Sequence, residues 1–510
     1  MNQYTLYIEI HNIVFDTALE GCWMGYKLPR EFYLGFSTAG FQHEMGMPGS
    51  EYMSDWYIWV HDLENIMAGI VSGDLPENGP GYWELYQVDH DIAQRIGMNT
   101  ARIGIEWARI FPEPTVDINV DIDEDDEGIK RVILDEKHLA ELDERADKKA
   151  VERYRQILSD LRERGFTIIL NLYHWPLPLW VHDPIAVRKQ GVDKAPAGWV
   201  DKRTIIEFTK YAGYISWKLG DLVDMWSTMN EPNVVWTTGY LLVKTGFPPG
   251  YLDQKSALIA RKNLLEAHAR AYDVVKEFSK KPVGVIYSIP DIQPLKDDDK
   301  DAVMLYEQSN VYYFFDALVK GVFDDTTRDD LKGRLDWVGI NYYSRVVITK
   351  RYVSGDRYIP FVVPGYGHNC SPNGRSLDNR PTSDLGWEIY PEGLYNVLVE
   401  IWRRYGLPII ITENGIADER DQWRSWFLVS HIYQAYRALS DGVALKGYLH
   451  WNLIDNYEWS SGFKMRFGLV YVDYQTKKRY LRPSAFVFRE IASRKEIPNE
   501  LEHLVNPPTL

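Results

Sequence analysis

Two glutamates, each at the end of a short apolar run, are the residues in this sequence best placed to do chemistry. Glu231 stands in Ser-Thr-Met-Asn-Glu-Pro at residues 227–232, and Glu413 in Ile-Ile-Ile-Thr-Glu-Asn-Gly at residues 409–415. An apolar run of strand length that ends in a carboxylate and turns through Pro or Gly is typical of the C-terminal end of a buried strand, where α/β barrels carry their chemistry. Two carboxylates that meet in one pocket can cleave a glycosidic bond, because one protonates the leaving oxygen while the other attacks the anomeric carbon.

Eight apolar runs of strand length alternate with amphipathic segments along the chain. This alternation is typical of an α/β protein whose parallel strands close into a (β/α)8 TIM barrel, with loop insertions between the runs. The candidate strands are residues 33–38, 100–107, 167–174, 223–230, 283–288, 335–342, 407–413 and 446–451. The clearest candidate helices, with apolar residues three to four apart, are residues 201–219, 256–279, 391–405 and 423–440.

The length of the chain fits one such barrel. A (β/α)8 domain with insertions can exceed about 400 residues, so a chain of 510 residues needs no second domain. We therefore predict a single barrel domain over residues 24–510. Residues 1–23 precede it as an extension with two open explanations: residues 4–10 could form an added strand, or translation could begin at Met24.

Composition and charge exclude several classes of protein. No stretch has the roughly eighteen uncharged apolar residues of a membrane helix, and a net charge of −16 without a Lys/Arg-rich run argues against a nucleic-acid partner. Residues 1–23 have no basic start, and Glu9 and His11 interrupt their apolar pattern, so we expect a cytoplasmic protein rather than an exported one. Cys22 and Cys370 are expected to be free thiols. No sequence motif for a metal or a cofactor is present, and none is predicted.

Two segments lie outside the barrel pattern. Residues 117–127 contain seven acidic residues without the ordered Asp, Asn and Gly spacing of a calcium loop, so we predict a solvated loop insertion rather than a cation site. Residues 351–380 contain Gly, Pro, Ser and four Tyr or Phe residues. They are predicted as a long loop, either a rim of the substrate cleft or an ordinary surface loop.

Six short motifs, in order along the chain, carry a resemblance to a known family. They are Phe-Tyr-Leu-Gly-Phe-Ser-Thr-Ala-Gly-Phe-Gln-His-Glu at residues 32–44, Asn-Leu-Tyr-His-Trp at 171–175, Thr-Met-Asn-Glu-Pro at 228–232, Asn-Tyr-Tyr at 341–343, Thr-Glu-Asn-Gly at 412–415 and Asn-Tyr-Glu-Trp at 456–459. In these motifs the chain resembles the retaining β-glycosidases of glycoside hydrolase family 1, and most of all their archaeal members. The resemblance implies double-displacement hydrolysis of unphosphorylated β-D-glucosides, galactosides or fucosides from the nonreducing end, and a homotetramer.

The resemblance also implies roles for the two glutamates and their neighbours. Glu413 is the expected nucleophile, and it needs a cation and hydrogen-bond donors to stay ionised; the supporting candidates are Arg102, Asn230, Tyr343 and Asn341. An alternative for Arg102 is a purely structural buried ion pair. Glu231 is the expected general acid/base, which needs apolar surroundings that keep a proton on it.

A group of polar and aromatic residues near the predicted strand ends supplies candidates for sugar binding. They are Gln42, His174, Trp175, Trp451, Glu458, Trp459 and Phe467. Each alone is more often structural, but together they suit a ring of hydroxyls and its C–H face. Glu458 would repel a 6-phosphate, so an unphosphorylated sugar is predicted, although Arg466 is a cation close by in the sequence.

Two alternatives to a hydrolase stay open at this point. A transglycosidase uses the same two carboxylates and delivers the glycosyl group to a sugar acceptor in place of water. A noncatalytic carbohydrate-binding barrel, which arises when a carboxylate is lost, is less favoured because both glutamates are present.

Overall fold

The computed structural model describes residues 25–506, and its centre is a closed barrel of eight parallel strands. Each strand pairs with the next along the chain, and the eighth closes the barrel on the first, with His450 opposite Phe36. The barrel strands are β1 (Tyr33–Ser37), β2 (Thr100–Gly104), β3 (Thr167–Asn171), β4 (Met225–Asn230), β5 (Val283–Ser288), β6 (Trp337–Asn341), β7 (Ile409–Asn414) and β8 (Leu445–His450). This topology confirms the predicted (β/α)8 barrel.

A long helix follows every barrel strand. These helices are α1 (Tyr82–Arg95), α2 (Lys148–Glu163), α3 (Arg203–Leu219), α4 (Gln254–Phe278), α5 (Tyr313–Lys320), α6 (Pro391–Tyr405), α7 (Arg424–Ser440) and α8 (Pro483–Arg494). Four of them confirm the helices predicted from apolar spacing, with ends within two residues of the expected ones. Shorter helices in the loops are Gly40–His43, Asp55–His61, Leu63–Met67, Trp107–Ile110, Glu136–Arg145, Pro184–Gln190, Pro232–Tyr240 and Lys300–Glu307.

Most residues of the barrel strands are apolar because both faces of these strands are buried. Side chains that point inward form a compact cluster in the barrel interior: Ile169, Ile286, Trp337, Ile410 and Leu449. Alternate residues on the same strands, such as Ile168 and Leu170 on β3, belong to the large cluster that packs against the outer helices. Burial of both faces therefore explains why the strands appear in the sequence as apolar runs without a regular alternation of apolar and polar residues.

Two strands end earlier than predicted. The expected strand 100–107 ends at Gly104, and the helix Trp107–Ile110 begins three residues later. The expected strand 167–174 ends at Asn171. In both cases the chain stays buried after it leaves the sheet, so the apolar pattern continues past the last strand residue.

Both insertions contain hairpins. The acidic insertion is solvated as predicted but forms a hairpin rather than a plain loop. The loop prediction was wrong for residues 351–362, whereas residues 363–380 are largely loop. In the acidic insertion, strand Asp121–Asp125 is exposed throughout and pairs antiparallel with Gly128–Ile133. Strands Arg345–Ser354 and Arg357–Val362 form the second hairpin, which extends a parallel pairing with Asp291–Pro294. Other short pairings join Tyr26–Lys27 to Glu496–Ile497, Val322–Phe323 to Thr326–Thr327, and Val470–Val472 to Arg479–Leu481.

Some expectations fall on residues that the structure does not describe. The extension at residues 1–23 and Cys22 lie outside the described range, so the added strand and the free state of Cys22 stay predictions. Cys370 is half-buried, and its Sγ lies 3.6 Å from the carbonyl oxygen of Gly367. Within residues 25–506 no helix is long and apolar enough to cross a membrane.

The barrel interior generates a stability prediction. Replacing Ile410, which is fully buried in the interior cluster, with Ala removes contacts that rigid strands cannot restore. We expect the free energy of unfolding to fall by about 2 to 5 kcal/mol and the melting temperature to drop accordingly. Calorimetry and denaturant titration measure both. Ile359→Ala, at a position 48% exposed, is the control and should change stability by less than about 0.5 kcal/mol; equal effects at the two positions would contradict the assignment of the core.

Candidate active site

The C-terminal ends of the barrel strands and the loops that follow them enclose a small pocket. Its lining residues are Gln42, His174, Trp175, Glu231, Tyr343, Trp387, Glu413, Trp451, Glu458, Trp459 and Phe467. The structure thus brings the seven predicted sugar-binding residues to one place with both glutamates. Arg102, Asn230 and Asn341 lie directly behind the pocket and bond to its carboxylates or to each other. Trp387 was missed in the sequence because no strand-end pattern marks it.

Glu413 is held by two donors, one on each carboxylate oxygen. It lies near the end of β7 and is 3% exposed. The Arg102 guanidinium, on β2 and fully buried, donates to Oε1, and the Tyr343 hydroxyl donates to Oε2 at 2.7 Å. Burial raises the pKa of this carboxyl, while the charge of Arg102 and both hydrogen bonds lower it. Burial outweighs these contacts, so the pKa of Glu413 lies above its ordinary value, but the cation and the two donors favour its ionised form.

Glu231 has a different environment. It follows β4 with φ of 48°, in the left-handed region, immediately before the helix Pro232–Tyr240. Its side chain is buried and accepts one hydrogen bond, from Asn341 Nδ2 at 2.8 Å, and no cation within the described chain forms an ion pair with it. Burial raises the pKa of Glu231 to about 8, and the negative charge of Glu413 adds to the shift. This carboxyl therefore holds a proton at neutral pH.

The Asn341 side chain lies between the two carboxyl groups. Its Nδ2 donates to Glu231 Oε1 and, at 3.0 Å, to Asn230 Oδ1, while its Oδ1 accepts from the Thr412 hydroxyl at 2.7 Å. The Thr412 bond fixes which way the amide faces, so the N–H groups point toward the carboxylates. Asn341 also lowers the pKa of Glu413, so one amide acts on both carboxyl groups.

Arg102 connects Glu413 to the rest of the polar cluster. Its Nη2 donates to Asn230 Oδ1 at 2.7 Å and lies 3.2 Å from His174 Nδ1. Asn230 Nδ2 in turn lies 3.0 Å from His174 Nε2. Burial, together with the charge of Arg102, holds the pKa of His174 well below its usual range, so this imidazole is neutral.

Gln42 and Glu458 form a second polar edge of the pocket. Gln42 Nε2 donates to Glu458 Oε2 at 3.1 Å and to the carbonyl oxygen of Tyr457 at 3.0 Å. Gln42 Oε1 is buried and has no protein partner among residues 25–506, so it is available to a donor on a ligand. Burial and the charge of Glu413 raise the pKa of Glu458 to about 8.

Arg466, which is close to Glu458 in the sequence, does not face the pocket. Arg466 Nη1 donates to Asp455 Oδ2 at 2.7 Å and to the carbonyl oxygen of Val472 at 3.0 Å. Its guanidinium also packs over the Tyr471 and Tyr474 rings, 4.6 and 4.8 Å from their centroids. Arg466 is therefore engaged elsewhere and leaves Glu458 without a cation.

Aromatic rings supply the remaining walls. The ring centroids of His174 lie 5.9 Å from Trp451 and 5.8 Å from Trp459, in stacked geometry. Trp387 packs on Tyr343 at 5.1 Å and on Phe467 at 6.1 Å. Indole and phenol faces combined with a few polar groups suit a polyhydroxylated ring, since its C–H faces pack on the rings and its hydroxyls meet the polar edge.

The described residues contain no group of three or more His, Cys, Asp or Glu side chains arranged to hold a metal ion. What the pocket does contain is two buried carboxyl groups in unequal surroundings: Glu413 is paired with a cation, whereas Glu231 accepts from a neutral amide. That pair can attack and protonate the two ends of a bond to an anomeric carbon.

Comparison with known proteins agrees with this chemistry. The family model described as glycosyl hydrolase family 1 matches residues 142–497. A beta-galactosidase of Saccharolobus solfataricus is 53% identical over 491 residues, which cover 95% of this chain and 98% of that protein. A beta-galactosidase of Pyrococcus woesei is 45% identical over 506 residues, covering 93% and 98%. The crystal structure of a beta-glycosidase from Thermosphaera aggregans has a TM-score of 0.91 at 53% identity and covers 94% of this chain and 99% of that one.

The electrostatic coupling of the two carboxyl groups can be measured directly. In Glu413→Gln the negative charge beside Glu231 is gone, so we expect the pKa of Glu231 to fall from about 8 while burial keeps it above its ordinary value of 4.5. Titration of glutamate carboxyl carbons by NMR gives this pKa. Glu458→Gln is the matched control. Because Glu458 contributes less than Glu413 to the raised pKa of Glu231, this substitution should lower that pKa by less. An unchanged pKa in Glu413→Gln would show that burial acts alone.

Proposed function

Since this chain belongs to glycosyl hydrolase family 1, a family of retaining β-glycosidases, we propose that Glu413 is its nucleophile and Glu231 its acid/base. The observation that carries the proposal is the unequal treatment of two neighbouring buried carboxyls. Glu413 receives the Arg102 guanidinium and the Tyr343 hydroxyl, whereas Glu231 receives one neutral amide. A nucleophile must be ionised and an acid must hold a proton, and the surroundings of the two groups supply these states.

In the first step Glu413 attacks the anomeric carbon while Glu231 gives its proton to the leaving glycosidic oxygen. The carboxylate becomes an ester, so its negative charge disappears. That charge is one cause of the raised pKa of Glu231. Its loss lowers the pKa of Glu231, so the group stays deprotonated at the moment it must act as a base. In the second step Glu231 takes a proton from water, which attacks the same carbon and frees Glu413. Two displacements at one carbon return the β-anomer.

The neighbouring groups support these steps. Arg102 and Tyr343 keep Glu413 in place and stabilise it again as it leaves the anomeric carbon. Asn341 holds Glu231 next to Glu413 with its amide fixed by Thr412. Asn230, oriented by Arg102 and Asn341, is placed to meet the sugar hydroxyl next to the reacting carbon.

The polar edge indicates an unphosphorylated glucoside, galactoside or fucoside. Gln42 Oε1 offers an acceptor to an outer hydroxyl, and Glu458 can share two more hydrogen bonds. A 6-phosphate would lie beside Glu458, which forms no ion pair within the described chain, while Arg466 is bound to Asp455 and cannot compensate the phosphate charge. We infer that Trp451 packs under the sugar ring and that His174, Trp175, Trp459 and Phe467 close its edges.

Two expectations concern the molecule beyond its site. One structural relative is described as a mutant derived from a hyperthermophilic tetrameric beta-glucosidase, and another as a beta-glucosidase mutant that forms a dodecamer in the crystal. We infer a homotetramer for this chain from that similarity.

The cytoplasmic location stays a prediction. Transfer to a sugar acceptor would pass through the same ester, and product analysis separates it from hydrolysis.

Azide distinguishes the two carboxylate roles. With a dinitrophenyl β-glucoside, Glu413→Gly should be rescued by azide in one displacement and give the α-glucosyl azide. Glu231→Gly should lose about 10²- to 10⁴-fold with less activated aryl glucosides. Its rescue should give the β-azide, because the ester on Glu413 still forms first. Proton NMR of the anomeric coupling identifies each product. If Glu413→Gly gave the β-azide and Glu231→Gly the α-azide, the nucleophile and the acid/base would have to be exchanged. If the unsubstituted enzyme released α-glucose as its first product, the mechanism would not be retaining.

The preference against phosphate is a separate prediction. The unsubstituted enzyme should release nitrophenol from an aryl β-glucoside with a higher kcat/KM than from its 6-phosphate, because Arg466, the cation near Glu458 in the sequence, is bound to Asp455 and cannot compensate the phosphate charge. Glu458→Ser should narrow this ratio by lowering the rate on the unphosphorylated sugar and easing entry of the phosphate. Steady-state kinetics on both substrates measure the ratio. Faster turnover of the 6-phosphate by the unsubstituted enzyme would contradict the prediction.

A further inference from the structure

The helical turn Gly40–His43, which carries Gln42, has no cap of its own. The residue before it, Ala39, has no side chain that can accept a hydrogen bond, so the first N–H groups of the turn need partners from elsewhere. The N–H of Phe41 donates to Glu106 Oε1 at 2.9 Å. Glu106 comes two residues after the end of β2, so a carboxyl group from another part of the chain caps this turn.

Glu106 also packs directly on the turn. A Cβ atom added at Gly40 would lie 2.4 Å from Cγ of Glu106 and 2.6 Å from its Oε1, which is closer than real contacts allow. The Glu106 side chain therefore lies flat against the backbone at Gly40. A shift of this side chain would move the backbone that carries Gln42.

The far end of the turn is held by a different carboxylate. Glu44 Oε2 accepts from Arg109 Nε, and its Oε1 accepts from the Tyr154 hydroxyl at 2.8 Å. Arg109 is itself fixed between the Tyr52 and Trp83 rings, 4.1 and 4.2 Å from their centroids. The turn is thus anchored by an ion pair after its last residue and by Glu106 at its first N–H groups.

Glu106 differs from Glu44 in having no cation. It is 1% exposed, and no ion pair with it forms within the described residues. Burial, with Glu44 nearby, raises the pKa of Glu106 to about 8, so it accepts from Phe41 as a neutral acid near pH 7. A neutral side chain of the same shape should therefore replace it.

The position of the turn matters because of the free acceptor on Gln42. Its Nε2 is fixed by Tyr457 and Glu458, and its buried Oε1 is left without a protein partner in the described chain. Whether Oε1 meets a sugar hydroxyl depends on where the turn holds the side chain. Strand β2, which ends just before Glu106, also carries Arg102, so the turn is tied to the same strand that holds Glu413.

We propose that Glu106 is a positioning residue that acts through Gln42 on the choice between sugars differing in the outer hydroxyls. This inference rests on the proposed function and extends it to a residue that does not line the pocket. It distinguishes two changes at Glu106: loss of the acceptor for the Phe41 N–H should impair sugar selection, whereas replacement of the carboxyl by an amide that keeps an acceptor should not.

The test uses Glu106→Leu, which removes the acceptor, and Glu106→Gln, which keeps it, in the full chain. kcat/KM is measured for aryl β-glucoside and aryl β-galactoside, which differ at one outer hydroxyl, with and without Gln42→Ala. We expect Glu106→Leu to lose about tenfold on the better substrate and to bring the glucoside/galactoside ratio closer to one. Glu106→Gln should keep both within about twofold of the unsubstituted enzyme. In the Gln42→Ala background, Glu106→Leu should have little further effect, because its action passes through Gln42.

Glu266→Leu is the control for general loss of stability. Glu266 is 2% exposed and accepts the Ile129 N–H at 3.2 Å, far from the pocket lining, so it should lower the melting temperature without changing the sugar ratio. If Glu106→Leu does not fold, Glu106→Asp retracts the acceptor and should change the ratio in the same direction by less.

An unchanged ratio in the folded Glu106 variants, or full additivity with Gln42→Ala, would overturn the inference and leave the proposed function intact. An unsubstituted enzyme that hydrolyses neither substrate would overturn both.

Discussion

The pocket holds three carboxyl groups, of which Glu231 and Glu413 are buried and Glu458 is half-buried, and among the described residues one guanidinium pairs with them. The organisation of the pocket follows from that shortage of cations. Arg102 is fully buried and forms its ion pair with Glu413. Neither Glu231 nor Glu458 forms an ion pair within the described chain, and burial raises the pKa of each to about 8. A second cation beside Glu231 would favour its ionised form and leave no acid for the leaving oxygen. The single cation therefore separates one carboxyl that has contacts favouring its ionised form from two that burial shifts toward their protonated forms.

A buried cation is costly unless its surroundings are fixed, and the barrel provides that rigidity. Arg102 lies on β2, Glu413 on β7, Asn230 on β4 and Asn341 on β6, so four strands of one closed sheet hold the network. Each strand is packed on both faces, which leaves little freedom at its C-terminal end. The loops add a second level of support: Asp455, fully buried, binds both Arg466 and Arg482 and thereby fixes the segment that carries Glu458.

The sequence predicted the parts of the site that depend on local pattern. Glu231 and Glu413 end apolar runs, and such runs must end at the same face of a parallel barrel, so their meeting followed from the fold. Trp387 could not be predicted in this way. Its neighbour Glu388 is buried against Arg345, 43 residues away, and that ion pair sets the path of the chain. The cap of Glu106 on Phe41 is equally nonlocal, with 65 residues between the partners. The acidic hairpin was missed because its first strand, Asp121–Asp125, is exposed throughout and has no buried face to mark it.

The orientation of Arg466 has a consequence for how this enzyme could evolve. A shift to phosphorylated sugars needs a cation beside the sugar, and Arg466 is already next to the pocket in the sequence. Its guanidinium, however, is bound by Asp455, which also binds Arg482 and the backbone N–H groups of Gly468 and Val472. Moving Arg466 toward the pocket would give up its bonds to Asp455 and to the carbonyl oxygen of Val472, and its packing on the Tyr471 and Tyr474 rings. A cation for a phosphorylated sugar would therefore sooner come from a loop residue that the buried aspartate does not hold.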